Sequence, residues 1–168
     1  MGQVGFRYII DYSLKNGMGN PSVNLYLSGC DKKEKCEGCH NWEMQEENTD
    51  DYDMNEIKAR LDNHIYNAMQ FTNKLYVCVL GGEPLAPYNK KITLSIAKHV
   101  KDKYKDVILV LYSWRYLTNI KYFDYGVLGG YDHTQHEDNC IPSSKNQYIY
   151  DFKLHKKLPK IYLKKGAI

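Results

Sequence analysis

Residues 74–84, "KLYVCVLGGEP", join an apolar run to a turn that carries a carboxylate. The run over residues 74–80 has the length of a strand and is typical of a parallel strand buried on both faces. Two glycines and a proline then interrupt it, which predicts a turn at the end of the strand. The fold depends on this stretch because strand and helix patterns alternate on both sides of it.

The helix that precedes this strand has a clear apolar face. Ile57, Leu61 and Ile65 recur at four-residue spacing, with Asp53 as the predicted N-cap and Glu56 in the position of a capping box. The other predicted elements are strands over residues 4–10, 22–28 and 106–113 and helices over residues 89–104 and 116–120. This order predicts an α/β fold with a mostly parallel sheet and helical crossovers, in which ligands bind at the carboxyl ends of the strands.

The remainder of the chain is less regular. Residues 124–147 are polar and glycine-rich, which favours a long functional loop, whereas residues 148–154 and 159–165 predict two closing strands. A chain of 168 residues is of single-domain length, so we expect one domain over residues 1–168.

Charge and cysteine usage exclude several classes of protein. A net charge of +3 is too small to indicate nucleic-acid binding. No apolar run approaches the ~20 residues of a membrane span, and the first ten residues are too short and polar for a signal peptide. Five cysteines, three of them clustered, favour metal ligation in a reducing compartment over disulfides. We therefore expect a cytoplasmic protein.

The cysteine cluster lies directly after the predicted strand over residues 22–28. Cys30, Cys36 and Cys39 fall within ten residues, and His40 follows them. Thiolates bind zinc, and they also bind the irons of iron–sulfur clusters. One interpretation is a closed zinc site with His40 as the fourth ligand, although the adjacent Cys39 and His40 would then bind one ion side by side. The other is a [4Fe–4S] cluster with one open iron, and the spacing alone leaves the two equal.

The turn at residues 81–84 favours the second interpretation. Gly81 and Gly82 permit close approach of the backbone to a ligand, Glu83 supplies a carboxylate, and Pro84 stiffens the turn. The turn and the cysteine loop are both predicted at the carboxyl ends of parallel strands. Their combination therefore indicates an open cluster beside a small-molecule site.

These motifs also resemble a known family. The three cysteines, followed by Asn41 and by "GGEP" downstream, are similar to the radical S-adenosylmethionine enzymes. The narrower resemblance is to the small activating proteins of anaerobic (class III) ribonucleotide reductase. It extends over "LYSWRY" (111–116), "FDYGVLGGYD" (123–132) and "SSKNQYIY" (143–150). The chain departs from the usual C-x3-C-x2-C spacing, since five residues separate Cys30 from Cys36.

The resemblance implies a fold, a reaction and a set of site residues. The fold is an incomplete (β/α) barrel that binds a [4Fe–4S] cluster and S-adenosylmethionine. The reaction is reductive cleavage of S-adenosylmethionine, which generates a glycyl radical on anaerobic ribonucleoside-triphosphate reductase, with an electron donor such as flavodoxin or ferredoxin. The implied cluster ligands are Cys30, Cys36 and Cys39, and the implied contacts to S-adenosylmethionine or the loop are Gly81, Gly82, Glu83, Pro84, Ser113 and Asn41.

Two alternatives stay open. The chain is an activator of another glycyl-radical enzyme or a radical enzyme for a small molecule, or it is a zinc-stabilised binding module. Other polar and aromatic candidates have ordinary interpretations. Cys78 is predicted in the core, Cys140 as a free surface thiol, and His40, His133 and His136 as loop residues, while Trp42 and Trp114 flank the site in sequence.

Overall fold

The element order is that of an α/β protein, seen in a computed structural model that describes residues 8–47 and 53–164. The helices are α1 (Met54–Met69) and α2 (Lys90–Lys103). The strands are β1 (Tyr8–Gly17), β2 (Asn20–Leu27), β3 (Tyr76–Gly81), β4 (Ile108–Ser113), β5 (Tyr125–Leu128), β6 (Cys140–Ile141), β7 (Tyr148–Asp151), β8 (Lys156–Leu158) and β9 (Ile161–Tyr162).

Seven strands form one mixed sheet in the order β1-β2-β3-β4-β5-β7-β8. Strands β2 to β5 are mutually parallel, whereas β1, β7 and β8 each run antiparallel to their neighbours. Only four adjacent strands are therefore parallel to one another. The sequence predicted a mostly parallel sheet, and the observed sheet is mixed. β1 and β8 are the edges, and no pairing among the described residues closes the sheet into a barrel. β6 and β9 form a separate two-stranded sheet.

The predicted cap and apolar face of α1 are confirmed. The Asp53 carboxylate accepts hydrogen bonds from the backbone N–H groups of Asn55 (3.0 Å) and Glu56 (3.2 Å), which satisfies donors that the first helical turn leaves free. Ile57, Leu61 and Ile65 are all fully buried. The helix forms where its sequence pattern places it because packing this face removes apolar surface from water.

Both helical crossovers cover the same face of the sheet. α1 connects β2 to β3 and α2 connects β3 to β4, and their apolar faces enter one core together with alternate strand residues such as Val77 and Val79. The intervening residues Cys78 and Leu80 point to the opposite face and enter a second, smaller core. Among the described residues, the sheet therefore has one face covered by helices and an opposite face without them.

Several sequence predictions are wrong in detail. The helix expected over residues 116–120 does not form; Leu117 and Ile120 instead pack individually against the helix-side core from an irregular segment. Residues 124–147 are not one loop, because Tyr125–Leu128 pairs with β4 as a short parallel strand. Four residues are too few to show a periodic pattern.

The ends of the described chain also differ from expectation. β7 forms a hairpin with Lys156–Leu158, whereas Ile161–Tyr162, expected to close the same sheet, pairs with β6. The first strand begins at Tyr8 and extends to Gly17, and the predicted residues 4–7 lie outside the described part of the chain. Within that part, neither helix has the length and apolar character needed to cross a membrane.

Candidate metal centre

The site is built from the segments that follow the four parallel strands. The cysteine loop follows β2, the Gly81–Gly82 turn closes β3, Ser113 closes β4, and Gly129 follows β5. Because parallel strands end at one edge of a sheet, these segments meet there. The predicted co-localisation of the cysteine loop and the "GGEP" turn is confirmed.

Two backbone hydrogen bonds close the base of the cysteine loop. The N–H of Gly29 donates to the carbonyl of Met44 (2.7 Å), and the N–H of Cys30 donates to that of Gln45 (2.9 Å). The loop thus leaves and re-enters the protein at one point, and the residues between have no regular structure apart from a 3-10 turn at Trp42–Met44.

The three predicted ligand cysteines are all partly buried and free of disulfides. The structure brings Cys36 and Cys39 together, since the N–H of Cys39 donates to the carbonyl of Cys36 (3.3 Å) and both line a cavity of about 430 Å³. Cys30 does not line this cavity, and burial raises the pKa of its thiol. Within residues 8–47 and 53–164, no three His, Cys, Asp or Glu side chains form a group that could hold a metal ion.

The two glycines of the turn are required by neighbouring backbone, Gly81 by Leu27 at the end of β2 and Gly82 by the base of the cysteine loop. Gly81 has a φ of +120°, and a side chain at Gly82 would collide with the carbonyl oxygens of Gly29 and Met44. The N–H of Gly82 also donates to the carbonyl of Leu27 (2.8 Å). Both glycines line the cavity as well, so their predicted approach to a ligand stays a prediction.

Glu83 is the most buried charged group of the site, with no exposed surface. Its carboxylate accepts hydrogen bonds from the Ser113 hydroxyl (2.8 Å) and from the backbone N–H groups of Leu85 (3.0 Å) and Trp114 (3.0 Å). The Arg115 guanidinium lies 3.1 Å away. Burial raises the pKa of Glu83 above its usual value, although the three hydrogen bonds and the Arg115 charge favour the charged form. Glu83 does not line the cavity, so its predicted contact with a ligand amine stays a prediction.

The other predicted site residues lie close by. Ser113 and Asn41 line the cavity, and the Asn41 amide donates to the carbonyl of Gly81 (3.4 Å). Asn41 therefore joins the cysteine loop to the glycine turn, and its expected role in orienting the loop stays a prediction. Pro84 is buried beneath the turn, where its carbonyl accepts a hydrogen bond from Thr93 (2.7 Å).

Sequence reasoning missed two pairs of residues at the site. The side-chain amides of Asn146 and Gln147 donate to the carbonyls of Gly130 (2.7 Å) and Gly129 (2.8 Å), which fixes the cavity wall after β5. Their only signal was the "NQ" within residues 143–150. The second pair is Asp31 and Arg115, which form an ion pair that no sequence pattern predicted.

The remaining candidates divide between core, cavity and surface. Cys78 is fully buried, as predicted. Cys140 is free but not on the surface: it is 1% exposed, and its thiol contacts the carbonyls of Glu137 (3.4 Å) and Pro142 (3.2 Å). Trp114 lines the cavity, whereas Trp42 is 67% exposed.

The predicted loop histidines lie around Tyr131, near the cavity. The His40 ring lies 4.8 Å from the Tyr131 ring, and burial lowers the pKa of His40. His136 contacts the Tyr131 hydroxyl (3.0 Å) and Asp138 (2.9 Å). His133 is 3.7 Å from Glu37 on the surface.

A family model described as "4Fe-4S single cluster domain" matches residues 15–150. The match begins in β1 and ends in β7, so it contains the cysteine loop, the glycine turn and the four parallel strands. No curated protein matches the chain, and no solved structure does.

Proposed function

The chain belongs to the family of 4Fe-4S single cluster domains, and from this we propose that it is a radical S-adenosylmethionine enzyme that activates anaerobic ribonucleotide reductase. One observation carries the proposal. The cysteine loop and the Gly81–Gly82 turn are hydrogen-bonded to each other at the carboxyl ends of parallel strands, beside a cavity. This arrangement supports a cluster site next to a small-molecule site.

The three thiols are the donor type of a cluster with three protein ligands, and to hold it they would have to converge, since they form no metal-holding group among the described residues. Cys30, Cys36 and Cys39 are unpaired thiols on an irregular loop, and they would hold the cluster as thiolates. When bound, such a cluster supplies an electron that cleaves S-adenosylmethionine into methionine and a 5′-deoxyadenosyl radical, which takes a hydrogen atom from a glycine of the reductase. The protein's own contribution is to bind, orient and exclude water.

The cavity has the size and lining expected for S-adenosylmethionine. Its volume of about 430 Å³ falls in the range of small-molecule sites. Leu80, Val127 and Ile141 give it an apolar floor, which suits an adenine ring, while Ser113 supplies a polar group at the strand ends. The cavity lies on the face of the sheet opposite the helices, which is the side on which an incomplete (β/α) barrel would hold its site.

Glu83 has a defined place in this proposal. Its carboxylate is bonded to groups that follow β4, so it orients Ser113 and the backbone of Trp114 at the cavity wall. To bind the amino group of S-adenosylmethionine together with the Gly81–Gly82 backbone, the Glu83 carboxylate would have to exchange one of these hydrogen-bond partners for the amine.

The partners follow from the reaction. The protein substrate is the anaerobic reductase, and the electron donor is a small redox protein such as flavodoxin or ferredoxin. Five free thiols suit a reducing compartment, and we therefore propose the cytoplasm as the location.

The test is anaerobic reconstitution with iron and sulfide, followed by reduction in the presence of S-adenosylmethionine. We expect a brown protein that forms 5′-deoxyadenosine and methionine, and a glycyl-radical signal in electron paramagnetic resonance only when the reductase is present. Cleavage without that signal would indicate a different glycyl-radical partner or a small-molecule substrate. A colourless protein that holds one zinc and cleaves nothing would contradict the proposal and favour a zinc-stabilised binding module.

A further inference from the structure

We propose that Arg115 is a positioning residue for the cysteine loop, because it holds Asp31, the neighbour of Cys30, against the buried carboxylate of Glu83. We call the three charged residues Asp31, Arg115 and Glu83 the Arg115 clamp. The inference deepens the proposed function by assigning a role to residues outside the recognised motifs, but its first test requires neither cluster nor activity.

The outer half of the clamp holds Asp31 with two donors. The Arg115 guanidinium donates from Nη2 to Oδ2 of Asp31, and Trp114 donates from Nε1 to Oδ1 (3.3 Å). The guanidinium also lies over the Trp114 ring, 4.6 Å from its centre. Trp114 and Arg115, which follow β4, therefore both donate to the Asp31 carboxylate. The Trp114 ring also covers one face of the Arg115 guanidinium, which restricts its position.

The inner half connects Arg115 to the protein interior. Its Nη1 lies 3.1 Å from Oε1 of Glu83, and its backbone N–H donates to the Ser113 hydroxyl (3.1 Å), which in turn donates to Glu83. Glu83 has no exposed surface, and the Arg115 side chain is 24% exposed. Partly buried charges are screened less by salt than exposed ones, so this contact depends less on ionic strength than a surface ion pair does, although Nη1 of Arg115 forms no hydrogen bond among the described residues.

The clamp acts where the cysteine loop needs support. Asp31 opens the five-residue segment between Cys30 and Cys36, in which Lys33, Glu34 and Lys35 are exposed. The backbone bonds at Gly29 and Cys30 fix the loop on one side of Cys30 only. Arg115 fixes it on the other side, so Cys30 keeps its place although the loop is long.

The test measures the alkylation rate of Cys30 in the full-length, metal-free protein, by mass spectrometry under anaerobic conditions. The variants are Asp31→Asn, Arg115→Gln, Arg115→Lys and the double variant Asp31→Asn/Arg115→Gln. Lys103→Gln, which removes a cation from a distant ion pair with Asp62, is the matched control. We expect each single clamp variant to raise the rate by about threefold to fivefold, as loss of a partly buried ion pair frees the loop, and the control to leave it unchanged.

Electrostatics alone predicts a different pattern. Removal of the Asp31 charge favours the Cys30 thiolate and speeds alkylation, whereas removal of the Arg115 charge slows it. Loss of positioning speeds alkylation in both, and also in Arg115→Lys, which keeps the charge but lacks the forked geometry. The double variant should then match the faster single variant, because both substitutions break one interaction.

Three results would overturn the clamp. They are an unchanged rate in Asp31→Asn, a slower rate in Arg115→Gln with an unchanged rate in Arg115→Lys, and multiplication of the two effects in the double variant. Asp31 lies in the cysteine loop and not in the sheet, so Asp31→Asn keeps the test decisive if an Arg115 variant fails to fold. After reconstitution, the same variants should lose iron to a chelator faster than the control. A wild-type protein that shows the alkylation pattern but cleaves no S-adenosylmethionine would contradict the proposed function and leave the clamp intact.

Discussion

The helix-covered face of the sheet packs mainly aliphatic side chains with a few aromatic ones, whereas the opposite face combines aliphatic side chains with hydrogen-bonded tyrosines and a thiol. On that face the Tyr112 hydroxyl donates to the carbonyl of Asn16 (2.6 Å), and the Asn16 amide donates to the Tyr26 hydroxyl (3.0 Å). Burial, aided by the nearby Asp11 charge, raises the pKa of Tyr26 to about 12, so the hydroxyl stays neutral. The Cys78 thiol contacts the same Asn16 carbonyl (3.3 Å).

The two faces of the sheet therefore have different roles, since one stabilises the fold and the other forms the candidate binding site. Strand residues alternate between the faces, so neighbours such as Val77 and Cys78 serve different surroundings. The helix side gains its stability from apolar burial, whereas the other side leaves a cavity that polar groups and the cysteine loop surround. Variants of the two sides should therefore have different effects, and the predictions below test that separation in order of decreasing effect.

The largest effect is expected from the cluster ligands. Cys36→Ser should abolish iron retention after reconstitution, because a hydroxyl is a poor substitute for a thiolate on iron. The unfolding free energy of the metal-free protein should change by less than about 1 kcal/mol, since Cys36 lies in an irregular loop. Iron and sulfide analysis and urea unfolding measure the two quantities. Cys78→Ser is the control, and iron loss in that variant as well would contradict the assignment of the cysteine loop.

The next effect belongs to the helix-covered face. Leu61→Ala removes a fully buried side chain of α1 and should lower the unfolding free energy by about 2–5 kcal/mol. Urea denaturation followed by circular dichroism measures this loss. The folded fraction should still bind iron at the wild-type stoichiometry. A loss below about 1 kcal/mol would mean that α1 contributes little to the core.

Glu83→Gln should affect both faces, because Glu83 joins the strand ends to the cavity wall. The amide keeps the shape, but its NH2 group cannot accept the hydrogen bond that a carboxylate oxygen now accepts, which should lower the unfolding free energy by about 1–3 kcal/mol. The cluster should survive while S-adenosylmethionine binding, measured by equilibrium dialysis, weakens. Glu56→Gln, at an exposed position of α1, is the matched control. Loss of the cluster in Glu83→Gln would show that Glu83 supports the cysteine loop rather than the cosubstrate.

The smallest effect is expected between the helices. Burial disfavours the Asp62 carboxylate, but hydrogen bonds from Lys103, His99 and Tyr104 outweigh it and lower the pKa of Asp62. Asp62→Asn should lower the unfolding free energy by about 1 kcal/mol at neutral pH. Since the folded pKa lies below the ordinary value of about 3.9, this contribution is present above that pH and is lost as the pH falls through the folded pKa.

Urea unfolding of the wild type and Asp62→Asn between pH 7 and pH 2.5 measures this dependence. The two curves of unfolding free energy against pH should converge at the acid end. A difference that stays constant over the whole range would mean that the Asp62 charge makes no contribution.

Sequence predictions were reliable for features that depend only on residues close together in the chain. The Asp53 cap and the Ile57, Leu61 and Ile65 face are confirmed, because a cap and a helical stripe depend on residues three or four positions apart. The family match confirms that the chain is an iron–sulfur protein. The individual cluster ligands, S-adenosylmethionine and the reductase stay predictions.

Sequence predictions failed where the structure of a segment depends on distant strands that pair with it. Tyr125–Leu128 becomes a strand because β4 and β7 pair with it on both sides, and no four-residue pattern announces this. Residues 116–120 form no helix, and their apolar side chains pack individually against the helix-side core. Cys140 is buried because the chain folds over it from Glu137 to Pro142.

The sequence by itself determined the order of strands and helices from β2 to β4, the soft-metal character of the cysteine loop and the presence of a carboxylate turn one unit later. These properties depend on residue type and short spacing. Only the tertiary structure decided that Glu83 lies behind the cavity wall, that Gly82 is required by the carbonyls of Gly29 and Met44, and that Arg115 joins Asp31 to Glu83. Such contacts join residues more than 30 positions apart, and only the packing of the sheet brings them within hydrogen-bonding distance.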